Sequence, residues 1–140
     1  MKTLHGKTIL VVDDERELRD LLMEEFALAG ALVFGAENGV EALAIVKKRA
    51  FDAVLADIRM PGGDGLTLLS DIHVHLKDKP KLFLCSGFDD TSMAVAAELG
   101  VVEVFSKPFM IAHVIAVIAG ALSKAEPGCQ PSTGASGQGS

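Results

Sequence analysis

Short runs of branched apolar residues alternate with longer amphipathic segments along most of the chain. Thr8–Val12 reads TILVV, a continuous apolar run of the kind found in strands buried on both faces. Leu32–Ala36, Ala53–Asp57, Lys81–Ser86 and Val101–Phe105 repeat the pattern. The segments between them have helical periodicity. Asp14 and Glu17 have capping-box spacing ahead of a helix over Glu15–Ala29, with Gly30 as its stop. Leu18, Leu21, Leu22, Phe26 and Ala29 share the predicted core face of that helix. Asn38 and Glu41 repeat the capping spacing before a helix to about Arg49. Further helices are predicted from about Gly65 to Leu76, over Thr91–Leu99 before Gly100, and over Met110–Leu122. In the last of these, Ile111, Val114, Ile115, Ile118 and Leu122 fall on one face.

Five strand–helix units in this order predict an α/β fold: a doubly wound, five-stranded parallel sheet with helices on both faces. Right-handed crossovers restrict the topology, and with five strands the order 2-1-3-4-5 is the common solution. The pattern stops before the end of the chain. Residues 126–140 read EPGCQPSTGASGQGS, with four Gly, two Pro and four Ser or Thr, too little apolar surface for a core. The expectation is one domain over residues 1–125 and a flexible tail or linker over 126–140.

Charge and cysteine content narrow the setting. The formal charge is −6, and no basic run exceeds Lys47-Lys48-Arg49, which argues against direct nucleic-acid binding by this domain. Cys85 and Cys129 are too few for a disulfide framework. The longest apolar stretch, Met110–Leu122, is 13 residues and contains His113, too short to span a bilayer. A cytoplasmic protein is expected, with no membrane contact.

In a sheet of this type, ligands bind beyond the carboxyl ends of the strands, near the switch point between strands one and three. Strand one ends in Asp13-Asp14, strand three in Asp57 and strand four in Ser86, and strand five is followed by Lys107. Taken singly, each has an ordinary structural role: a helix cap, a turn residue, a loop. Together they place three carboxylates, a hydroxyl and a fixed cation at one edge. Clustered carboxylates repel unless protons or a cation intervene, and hard oxygen ligands suit Mg²⁺. A divalent cation, a Lys and a hydroxyl around one carboxylate can hold a phosphoryl group. Asp57, at the mouth of the central strand and before the bend of Met60-Pro61-Gly62-Gly63, is the best-placed nucleophile. His73 and His75, two apart on a helix, make a poor metal pair, and Cys85 reads as an inert core residue.

VVDDE (11–15), DIRMPGGDG (57–65), SG (86–87) and KPF (107–109) together resemble the receiver domain of two-component response regulators, a flavodoxin-like fold. The resemblance runs from residue 8 to about 122. It implies that Asp57 accepts a phosphoryl group, with Asp14 binding Mg²⁺ directly, Asp13 through water, and the backbone carbonyl of Arg59 as a third protein ligand. It further implies that Ser86 hydrogen-bonds the phosphoryl group, that Lys107 pairs with one of its oxygens, and that Pro108 follows a cis bond. One position departs from the family. The aromatic switch residue three places before the Lys is here Val104, and Phe105 should point to the opposite face by strand alternation.

The function implied is a signalling switch. Asp57 would take a phosphoryl group from a sensor histidine kinase or histidine phosphotransfer protein, in a Mg²⁺-dependent reaction, and the domain would act on a downstream protein target. The alternatives are a Mg²⁺-dependent phosphatase or phosphotransferase with an Asp nucleophile, and a docking-only receiver. The first would need a second acid/base Asp where Arg59 stands. The second is kept open by Val104. Arg59 and Phe88 flank the expected pocket, and neither is suited to orienting a water, so autodephosphorylation is expected to be slow.

Overall fold

The computed structural model describes residues 3–58, 65–77, 79–86, 98 and 100–123. Five parallel strands form one sheet: β1 (Thr8–Val12), β2 (Leu32–Ala36), β3 (Ala53–Asp57), β4 (Lys81–Ser86) and β5 (Val101–Ser106). Their order is β2-β1-β3-β4-β5, as the alternation of strands and helices predicts. The first four strands have the expected limits, and β5 runs one residue further. The helices among the described residues are α1 (Arg16–Leu28), α2 (Gly39–Lys48), α3 (Gly65–His75) and α4 (Ile111–Ser123). The helix predicted over Thr91–Leu99, apart from Glu98, and the tail over 126–140 lie outside the described residues.

Strand alternation splits the core in two. Leu10, Val12, Val54, Ala56, Leu82 and Leu84 pack under α2 and α3 with Ala42, Val46, Leu68, Leu69 and Ile72. On the other face, Ile9, Val11, Leu55, Phe83 and Phe105 pack against Leu22 and Phe26 of α1 and Val114, Ile118 and Leu122 of α4. The central strands β1 and β3 are buried along almost their whole length, because each is covered on both faces. Leu4 is also fully buried, and its amide donates to the Ala29 carbonyl at 2.8 Å. The periodicity before β1 gave no sign of this anchor.

Two helix starts were predicted on the same spacing, and they differ in the structure. At α2 the cap forms: Asn38 Oδ1 accepts from the Glu41 amide at 2.8 Å, while Glu41 Oε1 reaches back one residue past the N-cap to accept from the Glu37 amide at 2.8 Å. At α1 it does not. The N-cap is Glu15, without a side-chain capping bond, and the helix begins at Arg16. Asp13 Oδ1 accepts from the Glu15 amide at 2.9 Å, so the turn is closed one residue earlier and Asp14 is left at the surface. The stop at Gly30 is as predicted; its φ of 103° lies in the left-handed region that glycine tolerates. Leu21, expected on the core face of α1, is 45% exposed, because the stripe that meets the sheet is centred on Leu18, Leu22 and Phe26.

Val104 and Phe105 occupy opposite faces, as alternation requires. Phe105 is buried, with its ring centroid 6.3 Å from that of Phe83. Val104 packs instead against the α2/α3 core.

Candidate functional site

The ladder register determines which strand ends meet. Val12 pairs with Ala56, so the next residues out, Asp13 and Asp57, stand side by side. Asp57 pairs with Cys85, and Ser86 pairs with Ser106, which puts Ser86 and then Lys107 one step further along the same edge. The ladder continues beyond the strands: the Asp13 amide donates to Ala36 O at 3.1 Å, Ile58 to Cys85 O at 2.9 Å and Lys107 to Ser86 O at 2.7 Å. Backbone bonding therefore holds all four side chains at fixed positions on the sheet edge.

Asp13 and Asp57 are buried, and Asp14 is exposed. One carboxylate oxygen from each lies within 4.8 Å of the others. The Lys107 ammonium answers this charge. Its Nζ lies 2.6 Å from Asp57 Oδ2, 3.9 Å from Asp13 Oδ2 and 3.7 Å from Glu15 Oε1. The peptide bond from Lys107 to Pro108 is cis, as expected. Ser86 is 5% exposed, at the floor of the same edge.

The electrostatics follow from this packing. Burial pushes the Asp13 carboxyl above the usual carboxylate range, partly offset by the Glu15 amide and by Lys107, while Asp57 and Glu15 add to the rise. Burial opposes the Lys107 charge, but the hydrogen bond to Asp57 and the charges of Asp57 and Asp13 outweigh it and hold the amine above its ordinary value. Cys85, the ladder neighbour of Asp57, is pushed up to about 12, first by burial and then by the charge of Asp57. It is therefore a neutral thiol at neutral pH.

Arg59, Phe88 and the Met60-Pro61-Gly62-Gly63 bend lie outside the described residues. His73 and His75 are exposed on α3 and stand apart from the carboxylates in the fold. Two residues escaped the sequence reading. Glu15 adds a third carboxylate to the surroundings of Lys107. Arg19 donates from Nη1 to the Asp13 carbonyl at 2.6 Å, fastening the turn that carries Asp13 and Asp14. Glu15 and Arg19 are four apart at the start of α1, and side chains there point back toward the helix N-terminus. That spacing, beside the acidic pair, was the available signal.

The edge thus combines a buried carboxylate, a short ion pair to a fixed cation and two further carboxylates that present hard oxygen ligands. Comparison with known proteins agrees. The sequence model described as "Response regulator receiver domain" matches residues 9–119. The sporulation initiation phosphotransferase F of Bacillus subtilis is 36% identical over 107 residues, 76% of this chain and 86% of that protein. The DNA-binding transcriptional regulator NtrC of Salmonella typhimurium is 34% identical over 123 residues, 88% of this chain but 26% of that protein. The chain thus spans most of one curated relative and about a quarter of the other. Among solved structures, a CheY-like response regulator receiver domain protein from Methanospirillum hungatei superposes with a TM-score of 0.79 at 26% identity, covering 84% of this chain and 94% of that one. The non-phosphorylated HemR receiver domain from Leptospira biflexa also gives 0.79, at 27% identity, with 87% and 98% covered. Matched from its first strand to its last helix, and folded as those proteins are, the chain belongs to the response regulator receiver domain family of two-component signal transduction.

Proposed function

We propose that Asp57 is the phosphoacceptor and that this domain takes its phosphoryl group from a sensor histidine kinase or a histidine phosphotransfer protein. The observation that carries this reading is the geometry of Asp57: a buried carboxylate at the end of the central strand, 2.6 Å from Lys107 Nζ and grouped with Asp13 and Asp14. An Asp57 oxygen attacks phosphorus, an O–P bond forms, and the P–N bond to the donor histidine breaks. The electron pair of that bond leaves on the histidine nitrogen. Lys107 follows the negative charge from the carboxylate to a phosphoryl oxygen, and the Ser86 hydroxyl donates to another. B. subtilis phosphotransferase F, by its name, acts in phosphotransfer, which supports a relay or switch role.

The donor set fits a divalent cation. Asp13, Asp14 and Asp57 offer three oxygens within 4.8 Å, hard ligands with Asp14 open to solvent, as Mg²⁺ prefers. The Arg59 carbonyl, implied as a further ligand, is outside the described residues. When bound, the ion would neutralise charge on the transferring phosphoryl group. Mg²⁺ is expected to raise the melting temperature, by about 1.4 kcal/mol of stability when present at tenfold its dissociation constant. Asp14→Ala should remove most of that shift; calorimetric melting with and without Mg²⁺ reads it. An undiminished shift in the variant would place the metal elsewhere.

Among the described residues no helix is long and apolar enough to cross a membrane. Together with the cysteine content, this supports a cytoplasmic site of action. The acidic domain would signal through a downstream protein target and not by binding nucleic acid itself. With Val104 and Phe105 packed on opposite faces of β5, the readout would not use an aromatic rotation at position 104. Residues 126–140 would serve as a tail or linker after a receiver domain at 1–125. The experiment that tests the phosphoacceptor reading is incubation with a small-molecule phosphodonor and Mg²⁺, followed by intact-mass measurement. One phosphoryl group per chain is expected, and its absence would overturn the proposal. Slow autodephosphorylation is the expected companion, since Arg59 and Phe88 offer no group suited to orienting a water. Decay of the mass adduct should be faster in Phe88→Glu and Arg59→Asn, and equal decay in all three proteins would sink the idea.

A further inference from the structure

The start of α3 presses directly on the backbone of Asp57. A Cβ built on Gly65 would lie 2.5 Å from the Asp57 carbonyl oxygen, 3.1 Å from its carbonyl carbon and 3.1 Å from Ile58 Cα. All three atoms are backbone, so no flexible side-chain end can swing aside. Gly65 is also tied there, its amide donating to the Ile58 carbonyl at 2.9 Å. Ile58 in turn donates to Cys85 O at 2.9 Å. To restore ordinary contact at 3.4 Å, any β-carbon at position 65 must move the helix start and the Asp57 peptide apart by about 0.9 Å.

That peptide carries the side chain whose position defines the site. Asp57 pairs with Cys85 of β4 and directly follows Ala56, which pairs with Val12 of β1, and its carboxylate is held at 2.6 Å by Lys107. Tilting its peptide swings the Cα–Cβ bond relative to Asp13, Asp14 and Lys107, which stand on other strands and do not follow. We infer that Gly65 is a positioning residue: the missing side chain lets the N-terminus of α3 brace the Asp57 peptide, and so sets the acceptor carboxylate against Lys107 and the acidic pair. The inference rests on the phosphoacceptor reading of Asp57.

Gly120 supplies the matched control. It lies inside α4, and a Cβ there would meet nothing within 4 Å, so Gly120→Ala should raise the melting temperature and leave phosphorylation unchanged. Ile72→Val, in the buried core under α3, lowers stability from the same helix without touching Asp57. Labelling rate from a small-molecule phosphodonor, the Mg²⁺ concentration for half-maximal rate, and melting temperature are measured for wild type, Gly65→Ala, Gly120→Ala, Ile72→Val and the Gly65→Ala/Gly120→Ala pair. Gly65→Ala, alone and in the stabilised pair, is expected to label about 10- to 100-fold more slowly at saturating phosphodonor and to need more Mg²⁺. Ile72→Val should match wild type in both. Wild-type rate and Mg²⁺ midpoint in Gly65→Ala would overturn the inference, as would an equal loss in Ile72→Val. A stabilised pair that fails to fold would overturn it too, since the contact would then serve the fold and not one carboxylate. Failure of wild type itself to label overturns the phosphoacceptor reading, which the Gly65 comparison alone does not.

Discussion

Replacing Asp57 with Asn is expected to abolish phosphoryl uptake while leaving the protein folded. The side chains are nearly isosteric, and the amide keeps an oxygen that can accept from Lys107 Nζ, now 2.6 Å from Asp57 Oδ2. What the amide lacks is the negative charge and nucleophilicity needed to form a bond to phosphorus. None of the nearby carboxylates is placed to substitute, Glu15 being largely exposed and 3.7 Å from the Lys107 ammonium. Asp13 is engaged by the Glu15 amide at 2.9 Å, and Asp14 is exposed beyond the end of β1. Intact-mass measurement after incubation with phosphodonor and Mg²⁺ should therefore change from one added phosphoryl group to none. Labelling of the variant to the wild-type extent would show that another residue accepts the group.

Lys107→Met should produce the largest change in stability of any single substitution at the site. Asp13 and Asp57 keep only small fractions of their side-chain surface exposed, 3% and 9%, and the Lys107 ammonium lies within salt-bridge distance of both. Removing it takes away the 2.6 Å ion pair of Asp57 and the positive charge beside Asp13. Losing a part-buried, charge-assisted bond of this kind costs roughly 2 kcal/mol, which for a domain of this size lowers the melting temperature by about 8 °C. The loss depends on pH in a defined direction. Without Lys107, the burial that already lifts the Asp13 carboxyl above 3.8 is less opposed. A carboxyl raised in the folded state binds its proton more tightly there than in the unfolded chain. Its favourable contribution is present below the unfolded value and is lost as pH rises through the folded one. The gap between variant and wild type should therefore narrow as pH falls from neutral toward 4. Mg²⁺ should narrow it too, by replacing the lost positive charge, and the variant should bind the ion more tightly because Lys107 no longer competes for the same oxygens. Thermal melting over a pH series, with and without Mg²⁺, reads both effects. A variant as stable as wild type in metal-free buffer at neutral pH would mean that solvent already screens the pair.

How much of this was legible in the sequence differs from residue to residue. The strands were readable because each is covered on both faces, which demands an unbroken apolar run; four of the five have the predicted limits. Sheet order followed from the handedness of the crossovers. The set Asp13, Asp14, Asp57, Ser86 and Lys107 was legible for a related reason: in a parallel sheet every strand delivers its last residue to the same edge, so polar residues closing apolar runs must meet there. Sequence spacing also fixed the faces of Val104 and Phe105, since a period of two leaves no choice.

Local spacing failed where a third partner entered. Asp14 has the same capping spacing as Asn38, yet only Asn38 caps its helix. Beside Asp14, the Asp13 side chain reaches the Glu15 amide first, because the ladder bond from Asp13 to Ala36 holds it in place. Leu21 fits the helical stripe but lies at its edge, because the buried face of α1 is centred on Leu22 and Phe26. Glu15 and Arg19 near the site, Leu4 under α1, and the thiol of Cys85 beside Asp57 all depend on contacts between distant segments. Gly65 is the plainest case. In the sequence it is one glycine in a glycine-rich bend. Only the packing of α3 against the end of β3 leaves no room there for a side chain, because hydrophobic pattern specifies which face of an element is buried but not how closely two backbones approach.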